Sequence, residues 1–307
     1  REGEDLFYKG EIAKSVCDAM DNQGHLTRGD FENYEAIVRD PLSFDFFGNR
    51  VYTCGFPSVG GMLLTALLNN YQDRALDRVI HPTSVDHFQA IAHTFSEIQE
   101  LNNDKGKISH YLFENYGIHD RMGADTSGYK WGGTSHFNIV DSSGLSIGLT
   151  TSIGEGSGFF IPGTDMQMNN MLGEEALMPQ GFHEWTPNRR LQSMMCPTII
   201  TDKGLHTDTV MGSGGAGRIP YALSQAAIYR YTMNQDPEAS VNMPRIYKSG
   251  NVYECEAGFD LSGLDSSIIN IWDEKSLYFG GVNAVTRDGQ SYKGFADERR
   301  SGAVINS

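Results

Sequence analysis

The 307-residue sequence predicts layers of sheet covered by helices, an α/β or α+β sandwich. Three observations carry this expectation. The first third places apolar residues at helical spacing. The centre switches to alternation of period two. Thirty-five glycines sit in short polar stretches between apolar runs, where a protein rich in strands makes tight turns. Hydrophobic residues at 39% and charged residues at 21% describe a folded chain, long enough for one large domain or two modest ones.

Taken in order, Ile12, Ala13, Val16, Ala19 and Met20 fall at helical spacing and Gly24 stops them, so a helix is expected over 11–24. Thr27 followed by Asp30 and Phe31 opens a second, short helix. Asn49 to Cys54 reads as a strand, 55–61 as a turn, and Met62 to Leu68 as the start of another helix. Residues 84–101 carry a helical period, and most of 102–133, polar and rich in glycine, reads as loop. His136 to Val140 and Leu145 to Ile153 form a strand pair around the Asp141–Gly144 turn, with Phe137 and Ile139 on one side. Two further strands, Thr198 to Thr201 and Thr207 to Met211, flank the turn at 202–204. A helix over Ile219 to Tyr231 follows the glycine run at 212–217 directly. Leu277 to Val285 and Ser291 to Ala296 make a last pair around Asp288-Gly289. There is no repeat of fixed period and no low-complexity tract.

The net charge of −15 offers no basic surface to displace counterions, which excludes nucleic acid and anionic membranes as expected partners. Cys17, Cys54, Cys196 and Cys255 are far apart and form no C-x-x-C pair, so neither a thiolate zinc site nor a disulfide framework is expected. Nine scattered histidines without H-E-x-x-H spacing leave no expected metal site, and no cofactor is expected. No apolar run reaches the length of a membrane span. The chain opens at Arg1 with no initiator Met and no signal peptide, so either a removed leader or a start inside a longer protein is expected.

Two generic signals are weak. Gly144-Leu-Ser146-Ile-Gly148 matches G-x-S-x-G, but Ser146 lies in a strand pattern with no helix after it, as a nucleophile elbow requires. Gly212-Ser-Gly-Gly-Ala-Gly217 suggests a phosphate loop but lacks the P-loop Lys and the acidic residue of a βαβ unit. A stronger signal is Trp131-Gly-Gly-Thr-Ser-His-Phe-Asn-Ile-Val-Asp141. It resembles the processing site of the gamma-glutamyltranspeptidase family, where T-T-H-x-x-V-x-D opens the small subunit. The likeness continues collinearly through 154–158, 162–164, 169–174, 190–198, 212–218, 279–285 and 297–300, and upstream through 7–10, 26–27, 34, 41–42 and 57–61.

The resemblance implies an α+β N-terminal-nucleophile αββα sandwich, two stacked sheets covered by helices, incomplete at the N-terminus. Residues 1–133 would be the end of a large subunit and 134–307 the small, catalytic subunit, together one composite domain. It implies self-cleavage at Gly133–Thr134 and a Thr134 acyl-enzyme that passes its acyl group to water or an amine. The residues fit this chemistry. A threonine hydroxyl needs a base, and the cut gives Thr134 an α-amine with an ordinary pKa of about 7.7–8.0 that can take its proton. Gly132 and Gly133 leave the carbonyl open and accept strained dihedrals. By resemblance, the amides of Gly215 and Ala216 form the oxyanion hole and Ser152 orients the Thr134 hydroxyl. A tight turn before a helix would use the glycines at 212, 214 and 215 equally well, and Ser152 reads equally as a strand polar residue.

The substrate positions depart from the family pattern. Met171 stands where Gln or Glu is usual, Glu174 where Asp is usual, and only Ser193 of a serine pair remains, followed by Met194. The upstream carboxylate-binding arginine would precede Arg1. The wording resembles a divergent bacterial branch, with a periplasmic or extracellular location implied by the resemblance alone. Glu174 could still hold a ligand amine. The expected partners are a small γ-glutamyl-like amide, an amine or water acceptor, and the two self-cleaved pieces for each other. An acylase on non-glutamyl amides, a non-catalytic ligand-binding descendant and a Ser146 esterase remain as alternatives.

Overall fold

The computed structural model describes residues 3–20, 24–75, 80–103, 110–111, 114, 133–174, 177–178, 181–184, 187–204 and 206–305. Three short helices come first: α1 (Asp5–Tyr8), α2 (Glu11–Met20) and α3 (Arg28–Glu32). Thr27 caps α3 in a capping box, accepting from the Asp30 amide while the Asp30 carboxylate takes the Thr27 amide. A hairpin of β1 (Leu42–Phe46) and β2 (Asn49–Thr53) leads to the long helices α4 (Val59–Ala75) and α5 (Val85–Asn103). Then come β3 (Thr134–Val140), β4 (Ser146–Ser152), β5 (Thr198–Thr201), β6 (Thr207–Gly214), α6 (Ile219–Thr232) and α7 (Pro237–Asn242). The chain continues with β7 (Ile246–Ser249), β8 (Val252–Glu256), β9 (Ile269–Trp272), β10 (Gly281–Asp288) and β11 (Ser291–Phe295).

Strands β1-β2-β5-β6-β10-β11 form a six-stranded antiparallel sheet. One face carries α4 and α6, with α5 packed behind α4 and against β7. The apolar core lies in this layer: Leu63, Leu64, Leu67, Ile91, Phe95, Leu223 and Ile228 are buried against Phe46, Val51, Ile200 and Val282. α6 is buried almost all round, which fits its place between sheet and helices. The other face carries the two-stranded antiparallel sheet β3–β4, which lies on β6 and β10. Two stacked sheets with helices on one side are therefore present. Among the described residues no helix covers the outer face of β3–β4, where Phe137, Ile139, Ile147 and Leu149 are exposed. A third sheet, β7-β8-β9, packs beside α5.

Several boundaries differ from the sequence expectation for tertiary reasons. α4 begins at Val59 rather than Met62, with two glycines in its first turn. A Cβ on Gly60 would strike the Met194 backbone and one on Gly61 the Cys54 carbonyl, so the helix can start there only because both side chains are absent. β6 runs on to Gly214, so half of the glycine run is strand rather than loop. Leu277–Phe279 is a 3-10 turn and its strand starts at Gly281. Of the expected loop at 102–133, Asn102 and Asn103 close α5, while His110, Tyr111 and Glu114 have helical backbone; Gly133 has no regular structure and the rest lies outside the described residues. β1, β7, β8 and β9 were not legible as strands.

Candidate active site

Thr134 is the first residue of β3 and lies opposite Ser152, the last residue of β4. The pairing brings Thr134 Oγ1 to 3.0 Å from Ser152 Oγ, inside a part-buried environment. The Ser152 hydroxyl also accepts the Gly154 amide at 3.0 Å, which holds its oxygen toward the turn. Gly133 continues the ladder one step further: its amide donates to the Gly154 carbonyl, and its carbonyl accepts the Ile153 amide at 3.3 Å. The bond expected to be cut is thus held between two strand ends, and Gly133 itself is exposed. Trp131 and Gly132 lie outside the described residues.

The floor under Thr134 is the end of β6. Ala216, in the left-handed region at φ +52°, opens a 3-10 turn over Ala216–Arg218 with Gly215 as its N-cap. Amides that open a helical turn have no acceptor within it and are available to an anion. The other two glycines serve close approach rather than a turn. A Cβ on Gly212 would overlap the His136 ring, and one on Gly214 would come to 2.5 Å from the Thr134 carbonyl oxygen. Their absence lets β3 settle directly on β6 and sets the depth of Thr134.

A cleft open to solvent lies beside Thr134. The structure brings Ser152, Met171, Glu174, Ser193, Met194 and Ala216 together in its wall, with Leu177, Met195, Gly217 and Ile219 completing it. Gly215 and Gly133 lie next to the lining rather than in it. Met171 begins a short 3-10 turn whose C-cap is Glu174. The Glu174 carboxylate and the Asn170 side chain both lie against Gly154. Asn170 Oδ1 accepts the Glu155 and Gly156 amides at 2.8 and 3.1 Å and so shapes the turn after β4. Ser193 is tied to the start of α4: its amide donates to the Pro57 carbonyl and its carbonyl accepts the Gly60 amide.

Sequence reasoning missed two residues of this region, Arg300 and His136. Arg300 donates to the Thr134 carbonyl at 2.7 Å. Burial, reinforced by the nearby Arg218 cation, pulls the Arg300 pKa down. Arg300 directly follows a buried charge cluster in the chain. Asp297 accepts the Val282 amide at 2.8 Å and pairs with Arg245 at 2.7 Å and Arg299 at 3.1 Å, while Arg299 also pairs with Glu256. Burial alone would raise the Asp297 pKa, but the two guanidiniums outweigh it and hold the carboxylate low. The block Asp297-Glu-Arg-Arg300 carried the resemblance without a role; its role is legible only once β10 passes under β3. The second residue is His136, two positions along the same inward face. Its Nδ1 meets Thr150 Oγ1 at 2.8 Å and its Nε2 meets Asn138 Oδ1 at 2.7 Å. Asn138 in turn donates to the Asn283 carbonyl at 2.9 Å. With Asn138 Oδ1 as acceptor, the Nε2–H donates and Nδ1 accepts from the threonine. Burial lowers the His136 pKa, and the ring ties β3 to β4 through Thr150 above the Gly212 backbone.

The other motifs fall away from the cleft. Ser146 begins β4, donates to the Gly144 carbonyl and Thr207, and is followed by strand, so the context of a nucleophile elbow is absent. The glycine run at 212–217 follows an antiparallel strand, not the first strand of a βαβ unit. Among the described residues no cluster of His, Cys, Asp or Glu could hold a metal ion, and no helix is long and apolar enough to cross a membrane.

Stacked sheets with a threonine heading an inner strand define an N-terminal-nucleophile hydrolase fold. Its likeness extends to the cephalosporin acylase from Bacillus halodurans, with a TM-score of 0.74 at 20% identity over 96% of this chain and 58% of that one. The family model for gamma-glutamyltranspeptidase matches residues 1–108 and 87–307. The chain belongs to the gamma-glutamyltranspeptidase family. It is 26% identical to the glutathione hydrolase proenzyme of Bacillus subtilis (strain 168), over 99% of this chain and 59% of that protein. It is 25% identical to glutathione hydrolase proenzyme 2 of Schizosaccharomyces pombe, over 98% of this chain and 56% of that protein. The chain therefore spans less than two thirds of the length of these relatives.

Proposed function

We propose that the chain is the catalytic part of an autoprocessing amidohydrolase or acyltransferase with Thr134 as nucleophile. The observation that carries the reading is the 3.0 Å contact between Thr134 Oγ1 and Ser152 Oγ at the mouth of the cleft, beside the turn that opens at Ala216. In the processing step, Thr134 Oγ1 attacks the Gly133 carbonyl carbon. The carbonyl oxygen becomes the oxyanion next to the Ile153 amide that already donates to it. Collapse breaks the Gly133–Thr134 amide, protonates the departing nitrogen and leaves an ester. Water then hydrolyses the ester, giving a Gly133 carboxylate and a free Thr134 α-amine.

That amine serves as the base for the next cycle. It takes the Thr134 hydroxyl proton as the oxygen attacks a substrate amide, and the oxyanion faces the amides of Gly215 and Ala216. One such donor typically contributes about 2.7–4 kcal/mol in the transition state. The protonated amine passes its proton to the leaving nitrogen, and water or a second amine releases the acyl group. The piece 1–133 and the piece 134–307 would stay together, because β2 of the first pairs with β5 of the second within one sheet. Donors of the γ-glutamyl type are the starting assumption, with acyl amides of other kinds as the second reading. The methionines in the cleft wall favour that second reading. Mass spectrometry of the purified chain is expected to show two pieces split at Gly133–Thr134, and Thr134→Ala is expected to remain whole and inactive. An uncut chain with full activity would sink the proposal.

A further inference from the structure

Thr134 sits where a cut chain would loosen. The Ile153 amide donates to the Gly133 carbonyl, so Gly133 and Ile153 form a hydrogen-bonded pair, and Thr134 with Ser152 is the next, non-hydrogen-bonded pair. In such a pair the backbone N–H and C=O of each residue point away from the partner strand. The nitrogen and carbonyl of Thr134 therefore face the edge of β3 opposite β4. There Arg300 takes the place of a strand amide and donates to the Thr134 carbonyl at 2.7 Å. Two residues on, the His136 carbonyl faces the same edge and accepts the Asn283 side-chain amide at 3.2 Å.

The sheet below is shaped for this guanidinium. Arg300 ends a 3-10 turn over Glu298–Arg300, and its side chain lies across Gly214 of β6 and Gly281 of β10, which pair in register. A Cβ on Gly281 would come to 2.5 Å from the Arg300 Cγ and Cδ, and one on Gly214 would overlap the guanidinium itself. Neither glycine is in the left-handed region, so each is needed for close approach rather than for its backbone conformation.

We infer that Arg300 is the positioning residue of the cut enzyme: seated in the Gly214–Gly281 slot, it holds the Thr134 peptide plane, and with it the hydroxyl and the new α-amine, over the cleft. The inference rests on the reading of Thr134 as nucleophile. Before the cut, Gly133 anchors Thr134 from one side through its bonds to Ile153 and Gly154, and the β3–β4 ladder anchors it from the other. After the cut, Thr134 is a chain end one residue beyond the hydrogen-bonded pair Ser135–Thr151, and chain ends fray unless tied down. Ser152 then ties its side chain and Arg300 its backbone.

Arg300→Met, Arg300→Lys and Gly281→Ala, made in the full chain, decide it. Mass spectrometry follows the cut at Gly133–Thr134, and acyl-p-nitroanilide turnover follows the cut form. Arg300→Met is expected to change the rate of cutting less than about threefold and to lower kcat roughly 100-fold at nearly constant KM, as a misplacement of about 1 Å at a reacting group does. Arg300→Lys keeps a donor for this single acceptor and should recover roughly tenfold of that loss. Gly281→Ala crowds the arginine stem and should also lower kcat, with no further loss when added to Arg300→Met. Equal losses in cutting and turnover, or an unchanged kcat in Arg300→Met, overturn the inference. Hydrogen exchange at the Ser135 amide, which shares a peptide plane with the Thr134 carbonyl, needs neither the cut nor turnover. In Arg300→Met it should quicken roughly tenfold in the cut form and roughly threefold in the uncut form, with α6 exchange unchanged as the check of folding. If Arg300→Met does not fold, Gly281→Ala carries the same comparison. A Ser135 amide that exchanges alike in wild type and variant overturns the inference. An uncut, inactive wild type would instead count against Thr134 as nucleophile, and the exchange comparison would still decide what Arg300 holds.

Discussion

His87 on α5 is fully buried and packs among aromatic rings, with Tyr229 at 4.9 Å, a stacked Phe259 at 6.0 Å and Tyr71 at 6.4 Å between ring centroids. Among the described residues neither ring nitrogen has a hydrogen-bond partner. Burial pushes its pKa down to about 3. The folded state therefore holds the ring neutral while the unfolded chain, at an ordinary value of about 6.5, takes up a proton. Stability is full above about pH 6.5 and falls as the pH drops toward 3. At pH 5 the folded ring is still neutral, and the unfolded state gains about 1.36 × log(1 + 10^1.5), or about 2 kcal/mol. At pH 7.5 the same expression gives less than about 0.1 kcal/mol. His87→Phe removes the titration and keeps a flat ring in the cage. Urea unfolding at pH 7.5 and pH 5, followed by fluorescence and circular dichroism, should show the wild type losing about 2 kcal/mol more than the variant. A thermal scan would show a difference of roughly 4 °C. Parallel losses in the two proteins would refute the reasoning, because other titrating groups are common to both.

Three further outcomes follow from the site. Asp297→Asn leaves Arg245 and Arg299 with one buried carboxylate between them, and should cost about 3–5 kcal/mol at neutral pH. Because the Asp297 pKa is depressed, its contribution is present above the ordinary carboxylate value and lost as the pH falls through the folded value. The gap between variant and wild type in denaturant midpoints should close in acid. On the proposed reading, Ser152→Ala removes the hydroxyl contact at Thr134 Oγ1 and should slow p-nitroaniline release from an acyl-p-nitroanilide roughly 100-fold, while Ser152→Thr should retain most of the rate. Ala216→Gly relieves a left-handed alanine, a gain of about 1 kcal/mol partly offset by a freer unfolded chain. A net stabilisation of about 0.5 kcal/mol is expected in the denaturant midpoint.

Local signals were strong where one segment settles its own conformation. Thr27 and Asp30 make their capping box within four residues, and the Asp141 turn needs only its own side chain and the amides after it. The helical period over 84–101 located α5 to within two residues. Signals failed where the partner is distant. β7, β8 and β9 are short, and β9 pairs in parallel with β8 across an intervening loop. The start of α4 depends on Met194, more than a hundred residues away, and no local rule announces a helix through Gly60-Gly61. The side chains of β3 also defy simple patterning. Its polar residues Thr134 and His136 face inward, and its apolar Phe137 and Ile139 face out, because the inner face is a hydrogen-bonded joint over a glycine floor.

By itself the sequence determined the chemistry on offer: a threonine behind two glycines, a second hydroxyl at the far end of the paired strand, and a glycine run before a helix. It also determined that methionine stands at 171 and 194, two of the positions where the family resemblance implies substrate contacts. Only the tertiary structure decided how these parts meet. It gave Gly212 and Gly214 to sheet approach and left the amide-opening turn to Gly215 and Ala216. It brought Arg300 from near residue 300 onto the Thr134 carbonyl, beside a charge cluster assembled from three separate segments. It put Met171, Met194 and Leu177 in one wall with a single carboxylate. The physical reason is that residue type and spacing set what each segment can do, whereas buried charge pairs and backbone approach depend on partners that only folding supplies.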